Sequence, residues 1–215
     1  MTKTEFITLL KQRLLNNNDT ALNEIIVSEM DHVQSTILEG AEFWPWFLLS
    51  ETVNSNTTAL ERRVAVPEDF LAEWEDGTLW RYDETDSDDK WIELKKDDYD
   101  ANLARYPGDG SPKKYAQDDS YFYLFPRPDA VYQLRMKYYA KQILPSVLTS
   151  SETNAWLTYA SDWFLAEVGA IIASLHLDME KQAMKFDAMA AKAKRRLYVL
   201  NTAREEQNNS RHMGD

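Results

Sequence analysis

The period of the hydrophobic residues changes twice along this chain, and that narrows the folds open to it. Before about residue 53 and after about residue 142, apolar side chains recur every three or four positions, as on one helix face. Between those points they alternate or gather in short β-branched and aromatic runs, the pattern of strands. A helix-period pattern does not sit as a strand, nor the reverse. The expected fold is therefore α+β: a helical bundle of the N- and C-terminal helices with an inserted small, mostly antiparallel β unit. The expected divisions are 1–52 for the N-terminal helices, 53–142 for the β-rich unit, 143–207 for two long C-terminal helices and 208–215 for a polar tail.

The first helix spans Thr4–Leu15, with Phe6, Leu9, Leu10 and Leu14 on its stripe. Asn16–Asp19 interrupts it, because short polar side chains compete for backbone hydrogen bonds. Thr20 is placed to cap a second helix striped by Leu22, Ile25, Ile26, Met30, Val33 and Ile37, and Gly40 reads as its left-handed stop. Phe43-Trp44-Pro45-Trp46-Phe47 follows, too apolar to stay exposed, and Trp44, Pro45 and Trp46 are its anchor. At the far end, one helix should run to about Leu177 and a last one from near Asp178 to about Gln207. Met179, Ala183, Phe186, Ala190, Ala193, Leu197 and Leu200 form a narrow seam on that last helix, where alanines permit close approach. The polar segment Glu205–Asp215 is expected to be disordered alone and ordered on a partner.

In the middle, Thr57–Val66, Leu79–Tyr82, Trp91–Lys95, Tyr121–Phe125 and Val131–Tyr138 read as strands. Val66–Leu71 and Asp97–Tyr106 read as short helices, the second capped by Asp97. Pro107–Pro112 has the chemistry of a loop. No repeat at solenoid or propeller periods is evident.

Charge and composition remove whole classes of chemistry. With 36 acidic against 24 basic residues the net charge is −12, against a non-specific nucleic-acid coat. The absence of cysteine excludes thiolate metal sites and cysteine nucleophiles, and three histidines leave little imidazole chemistry. No Gly-rich phosphate cradle or nucleophile elbow appears, so no cofactor and no catalytic residue is expected. Met1–Phe6 lacks the layout of a secretion signal. Only Ala155–Leu177 approaches a membrane span, and it carries Asp162 and Glu167, each costing roughly 2.5 kcal/mol or more at mid-bilayer. It reads as a buried core helix, and no membrane partner is expected.

The densest acidic segment holds Asp83, Glu84, Asp86, Asp88 and Asp89. As a Ca²⁺ loop it lacks the sixth-position Gly and twelfth-position Glu from either starting aspartate, so it reads as solvated and self-repelling, with no metal. A metal-dependent hydrolase would need carboxylates converging from several elements. Trp74, Trp80, Trp91, Tyr121 and Tyr123 offer a second alternative, a carbohydrate-binding face, beside the plainer reading as core and subunit contact. Charge is also segregated. Residues 61–100 hold 15 acids and 6 bases, a net of −9, whereas residues 180–215 hold 5 acids and 8 bases, a net of +3.

The order of features is distinctive. A Trp-rich exit from the N-terminal helices, Phe43-Trp-Pro-Trp46, precedes a strand ending in Val66-Pro-Glu-Asp-Phe70. Gly110-Ser-Pro-Lys-Lys-Tyr115 follows, then strand–turn–strand Tyr121–Tyr139 around Phe125-Pro-Arg-Pro-Asp129, then two long helices. Over roughly Trp44–Ala203 the chain resembles the head-to-tail adaptor (connector) proteins of tailed bacteriophages, the short-tailed type. That resemblance implies a structural virion protein of the neck, assembled in the host cytoplasm. It also implies a ring of about twelve copies beneath a portal protein, with a tail or nozzle protein on the other face. Double-stranded DNA would pass the lumen without specific binding, because an acidic wall repels phosphate. On the charge asymmetry, Asp83, Glu84, Asp86, Asp88 and Asp89 are expected at the channel or distal face. Lys194, Arg195, Arg196, Arg204 and Arg211 are expected to dock on the portal.

Overall fold

Thr2 opens the first helix with a reciprocal cap. Its hydroxyl accepts from the Glu5 amide at 3.2 Å while the Glu5 carboxylate accepts from the Thr2 amide at 2.8 Å. A computed structural model describes residues 1–14, 19–40, 44–74, 78–83 and 90–212. The chain separates into two compact units, residues 1–48 with 142–215, and residues 49–141.

The first unit is helical, with α1 (Lys3–Arg13), α2 (Leu22–His32), α4 (Ala155–Tyr159), α5 (Ser161–Ile171) and α6 (Glu180–His212). Phe6, Leu10, Ile26, Met30, Trp156, Trp163, Phe164 and Phe186 are its large buried side chains. The helix from α2 does not stop at a left-handed glycine; it widens into a π-helical turn, Val33–Leu38, closed by Glu39 N–H donating to the Gln34 carbonyl at 2.9 Å. Gly40 is needed because a Cβ there would run into the Thr36 carbonyl oxygen. Thr20 does not cap α2 with its side chain; Ala21 occupies the cap position. The apolar stretch 155–177 is likewise not one helix, since Ala160 at φ −128°, ψ 25° separates α4 from α5, and a second π turn, Ile172–His176, ends it. Asp178 (φ 52°) turns the chain into α6, which runs to His212, beyond the end expected near Gln207. No helix of the described residues is long and apolar enough to cross a membrane.

The second unit corrects the expected architecture. The β part is not a small unit set into a bundle; it is a large mixed sheet of eight strands among the described residues and the dominant element of the fold. The strands are β1 (Leu49–Asn56), β2 (Arg63–Ala65), β3 (Phe70–Glu73), β4 (Leu79–Asp83), β5 (Lys90–Lys96), β6 (Lys114–Gln117), β7 (Tyr121–Phe125) and β8 (Gln133–Ala140), with α3 (Tyr99–Arg105) between β5 and β6. Their order is β1-β8-β4-β5-β6-β7-β2, with β3 sharing β8, and the β5–β6 pair is parallel. β8 organises it: β1 pairs along one edge, and β4 and β3 divide the other.

The strands that pattern reading missed have physical reasons. β1 is polar over most of its length (Ser50, Glu51, Thr52, Asn54, Ser55, Asn56), so the expected strand at Thr57–Val66 began too late. β3 follows Pro67-Glu-Asp69, a helix-start signature, but Lys141 N–H donates to the Asp69 carbonyl at 2.6 Å and the chain pairs with β8 instead. β6, not read as a strand, is four residues long and is held by β5 and β7. Leu79, Leu94, Phe122, Leu124, Leu134 and Met136 meet in this unit's core.

Tyr115 lies in that core, its hydroxyl donating to Glu73 Oε1 at 3.0 Å. Burial, and then the Glu73 charge, push its ionisation far above the ordinary phenol range. Tyr138 and Tyr132 shift the same way, chiefly by burial. A phenol whose folded pKa lies above its unfolded value loses the folded state's advantage as pH rises past the unfolded value of about 10. Unfolding free energy should therefore be level between pH 8 and about 10 and then fall. Tyr115→Phe should flatten that fall by up to about 1.4 kcal/mol per pH unit. Urea midpoints at stepped pH test this, and an unchanged slope in Tyr115→Phe would count against it.

Candidate docking surfaces

The anchor Trp44-Pro45-Trp46 meets the basic end of α6. Pro45 accepts from Leu48 N–H at 2.9 Å, starting the 3₁₀ turn Trp46–Leu48. The Trp46 amide donates to Asn201 Oδ1 at 2.8 Å, and its ring lies 5.0 Å from Tyr159. Arg204 places its guanidinium 3.6 Å from the Trp46 ring centroid, so an expected docking residue and the expected anchor are one contact. Lys194 lies over Trp163 at 5.5 Å. Arg195 and Arg196 are exposed on α6; Arg211 falls on the same helix, its side chain outside the described residues. Both cation–π contacts hold a charge in place without neutralising it, leaving α6 positive.

Beside these residues, α5 and α6 enclose a groove of ≈ 540 Å³. Trp163, Met189 and Leu200 supply apolar lining, and Arg13, Lys192 and Arg196 line it against one acid, Asp162. Its lining is thus both apolar and net positive.

On the sheet unit the sign is opposite. Asp83 ends β4 and binds Arg81 at 3.0 Å; Glu84, Asp86, Asp88 and Asp89 lie outside the described residues, as does most of the segment weighed as a Ca²⁺ loop. Four carboxylates elsewhere accept from phenols: Asp69 from Tyr138 (2.9 Å), Glu73 from Tyr115 (3.0 Å), Asp118 from Tyr123 (2.8 Å) and Asp129 from Tyr132 (2.6 Å). A neutral donor orients a carboxylate and leaves its charge intact; of the four, Glu73 is also paired with a lysine, Lys96, at 2.6 Å. The Asp118 carboxyl is held below its usual range, first by the Ser120 backbone N–H and then by the Tyr123 hydroxyl.

The aromatic residues weighed as a sugar platform do not form one. Trp74, Trp80 and Trp91 gather about β4 and β5, whereas Tyr121 and Tyr123 lie on β7. Arg135 sits 5.0 Å from the Trp80 centroid and 4.9 Å from that of Trp91; Lys137 sits 4.8 Å from that of Trp74. A sugar stacks on a bare ring face, and these carry cations. Among the described residues, no three His, Asp or Glu side chains gather as a metal-binding group. His176 Nε2 instead meets Glu29 at 2.9 Å.

A protein-family model described as SU10 adaptor protein matches residues 1–214. The chain belongs to the SU10 adaptor protein family. It is thus a phage adaptor, as its resemblance to head-to-tail adaptors implied. No curated protein matches it.

Several residues that shape this adaptor's surfaces were not singled out by pattern. Asn201 is buried where the seam was expected to continue through Leu200, because its amide serves Trp46; Leu200 turns to the groove. Glu39 and Gln34 are buried polar residues on a helix read only for its apolar stripe. A polar residue one position from an apolar periodicity was the available signal.

Proposed function

We propose that this adaptor forms a ring of about twelve copies beneath the portal of a tailed phage, extends the DNA channel and presents an attachment surface to a tail or nozzle protein. The observation that carries the reading is the family match over residues 1–214. The opposed charges of the sheet unit and α6 support its orientation. Within residues 61–100, which hold 15 acids against 6 bases, the acidic segment 83–89 faces the lumen or the distal side. A fixed negative wall repels DNA phosphates and lets the duplex slide. The positive stretch of α6, with Lys194, Arg195, Arg196, Arg204 and Arg211, faces the portal. The role requires no bond to be made or broken, so the adaptor acts as a structural part of the neck.

Electron microscopy of the purified adaptor mixed with its portal tests this. Coaxially stacked rings are expected, with Asp83 nearer the lumen than Lys194 and Arg195. An adaptor that stays a lone subunit on assembled portals overturns the ring, and Lys194 with Arg195 lining the lumen overturns the orientation.

A further inference from the structure

Resting on the ring reading, we infer that neighbouring copies join by seating the acidic helix α3 of one copy in the positive apolar groove between α5 and α6 of the next. The occupant is a second copy of this chain, and the argument is complementarity of both charge and shape. Asp98 N-caps α3, its carboxylate accepting from Ala101 N–H at 2.9 Å, and Asp97 is tied to Lys114 at 2.9 Å. Three of residues 97–100 are therefore acids, at the start of a short helix. Tyr99 and Leu103 lie one helical turn apart on one face of α3, and remain 39% and 43% exposed. The Tyr99 ring is held edge-on to Tyr123 at 5.1 Å and to Phe125 at 5.5 Å. The projection is thus formed before it binds, and little side-chain freedom is lost on docking.

The groove is its counterpart. Met189 and Leu200 offer apolar wall, and Arg13 and Lys192 outnumber Asp162. From 188 to 204 the helix carries five basic residues and no acid, which suits the acidic start of α3; the one base of α3, Arg105, stands at its other end. The two surfaces are different patches of one chain, which makes the contact heterologous, the kind that closes a ring when repeated.

The chain has no cysteine, so introduced thiols report one contact only. Leu103→Cys and Leu200→Cys adaptors, both altered at exposed positions, are mixed in equal amounts with the portal and oxidised. A disulfide-linked dimer is expected, exceeding by about tenfold what either variant gives alone, since bridging demands Cβ atoms roughly 4 Å apart. Lys192→Glu should abolish the cross-link, and Asp100→Lys in the Leu103→Cys partner should restore it. Rings visible by microscopy without the cross-link overturn this contact and leave the ring standing. Protection of the Leu200→Cys thiol from maleimide by portal without any cross-link assigns the groove to the portal, and also overturns the contact. Absence of rings on portals overturns the ring reading itself.

Discussion

Replacing Phe186 by alanine is expected to cost the helical unit about 3–5 kcal/mol, the range for emptying a buried aromatic site. Phe186 is 1% exposed at the seam between α5 and α6. Its ring fills the space opposite Gly169: a Cβ on Gly169 would sit 2.7 Å from Cδ1 and Cε1 and 2.9 Å from Cζ. Gly169→Ala should therefore be harmful alone, by about 1–3 kcal/mol, because a ring buried on all sides cannot withdraw. In the Phe186→Ala background the added methyl enters the vacated space, and the same substitution should become neutral or favourable. Guanidinium unfolding followed by tryptophan fluorescence measures the cycle. If Gly169→Ala costs the same in both backgrounds, the two residues do not share that space.

Glu39→Ala should destabilise the same unit by about 3 kcal/mol or more, since several buried donors lose their shared acceptor together. Glu39 Oε1 accepts from Gln34 Nε2 at 3.1 Å, the Gln142 amide at 3.1 Å and Trp156 Nε1 at 3.3 Å. Gln34 in turn takes Asn154 Nδ2 on its Oε1 at 2.8 Å, and Asn154 Oδ1 caps α4 through Leu157 N–H at 3.0 Å. The π turn makes this possible, because five-residue spacing brings Gln34 and Glu39 to one side of the helix. Glu39→Gln keeps a carbonyl oxygen for the same donors and should lose only about 1 kcal/mol, the net worth of a single hydrogen bond. Equal losses for the two variants would show that neither a retained acceptor oxygen nor the side chain's bulk accounts for what Glu39 contributes.

Pattern reading reached the long helices and the alternating strands. The α6 seam residues Ala183, Phe186, Ala190 and Leu197 are buried as expected, and β4, β5 and β7 lie close to their expected positions. It failed where a tertiary partner outweighs local preference. β3 begins after a helix-start signature yet pairs with β8, and β6 is too short to announce itself before β5 and β7 flank it. The candidate surface was half visible: the basic residues of α6 could be named, but not that Arg204 would lie on Trp46 or that Leu200 would line a groove.

Helical ends, a strand-rich middle, an acidic segment and a basic last helix are properties of residues close together in sequence, and hydrophobic period and charge sums read them without coordinates. Which strands pair, and hence that they make one large mixed sheet, depends on residues as distant as Leu49 and Tyr139 meeting. The same is true of Gly169 beneath Phe186 and of three donors on Glu39. Such contacts carry no local signal, because their energy exists only after chain closure has brought the partners together.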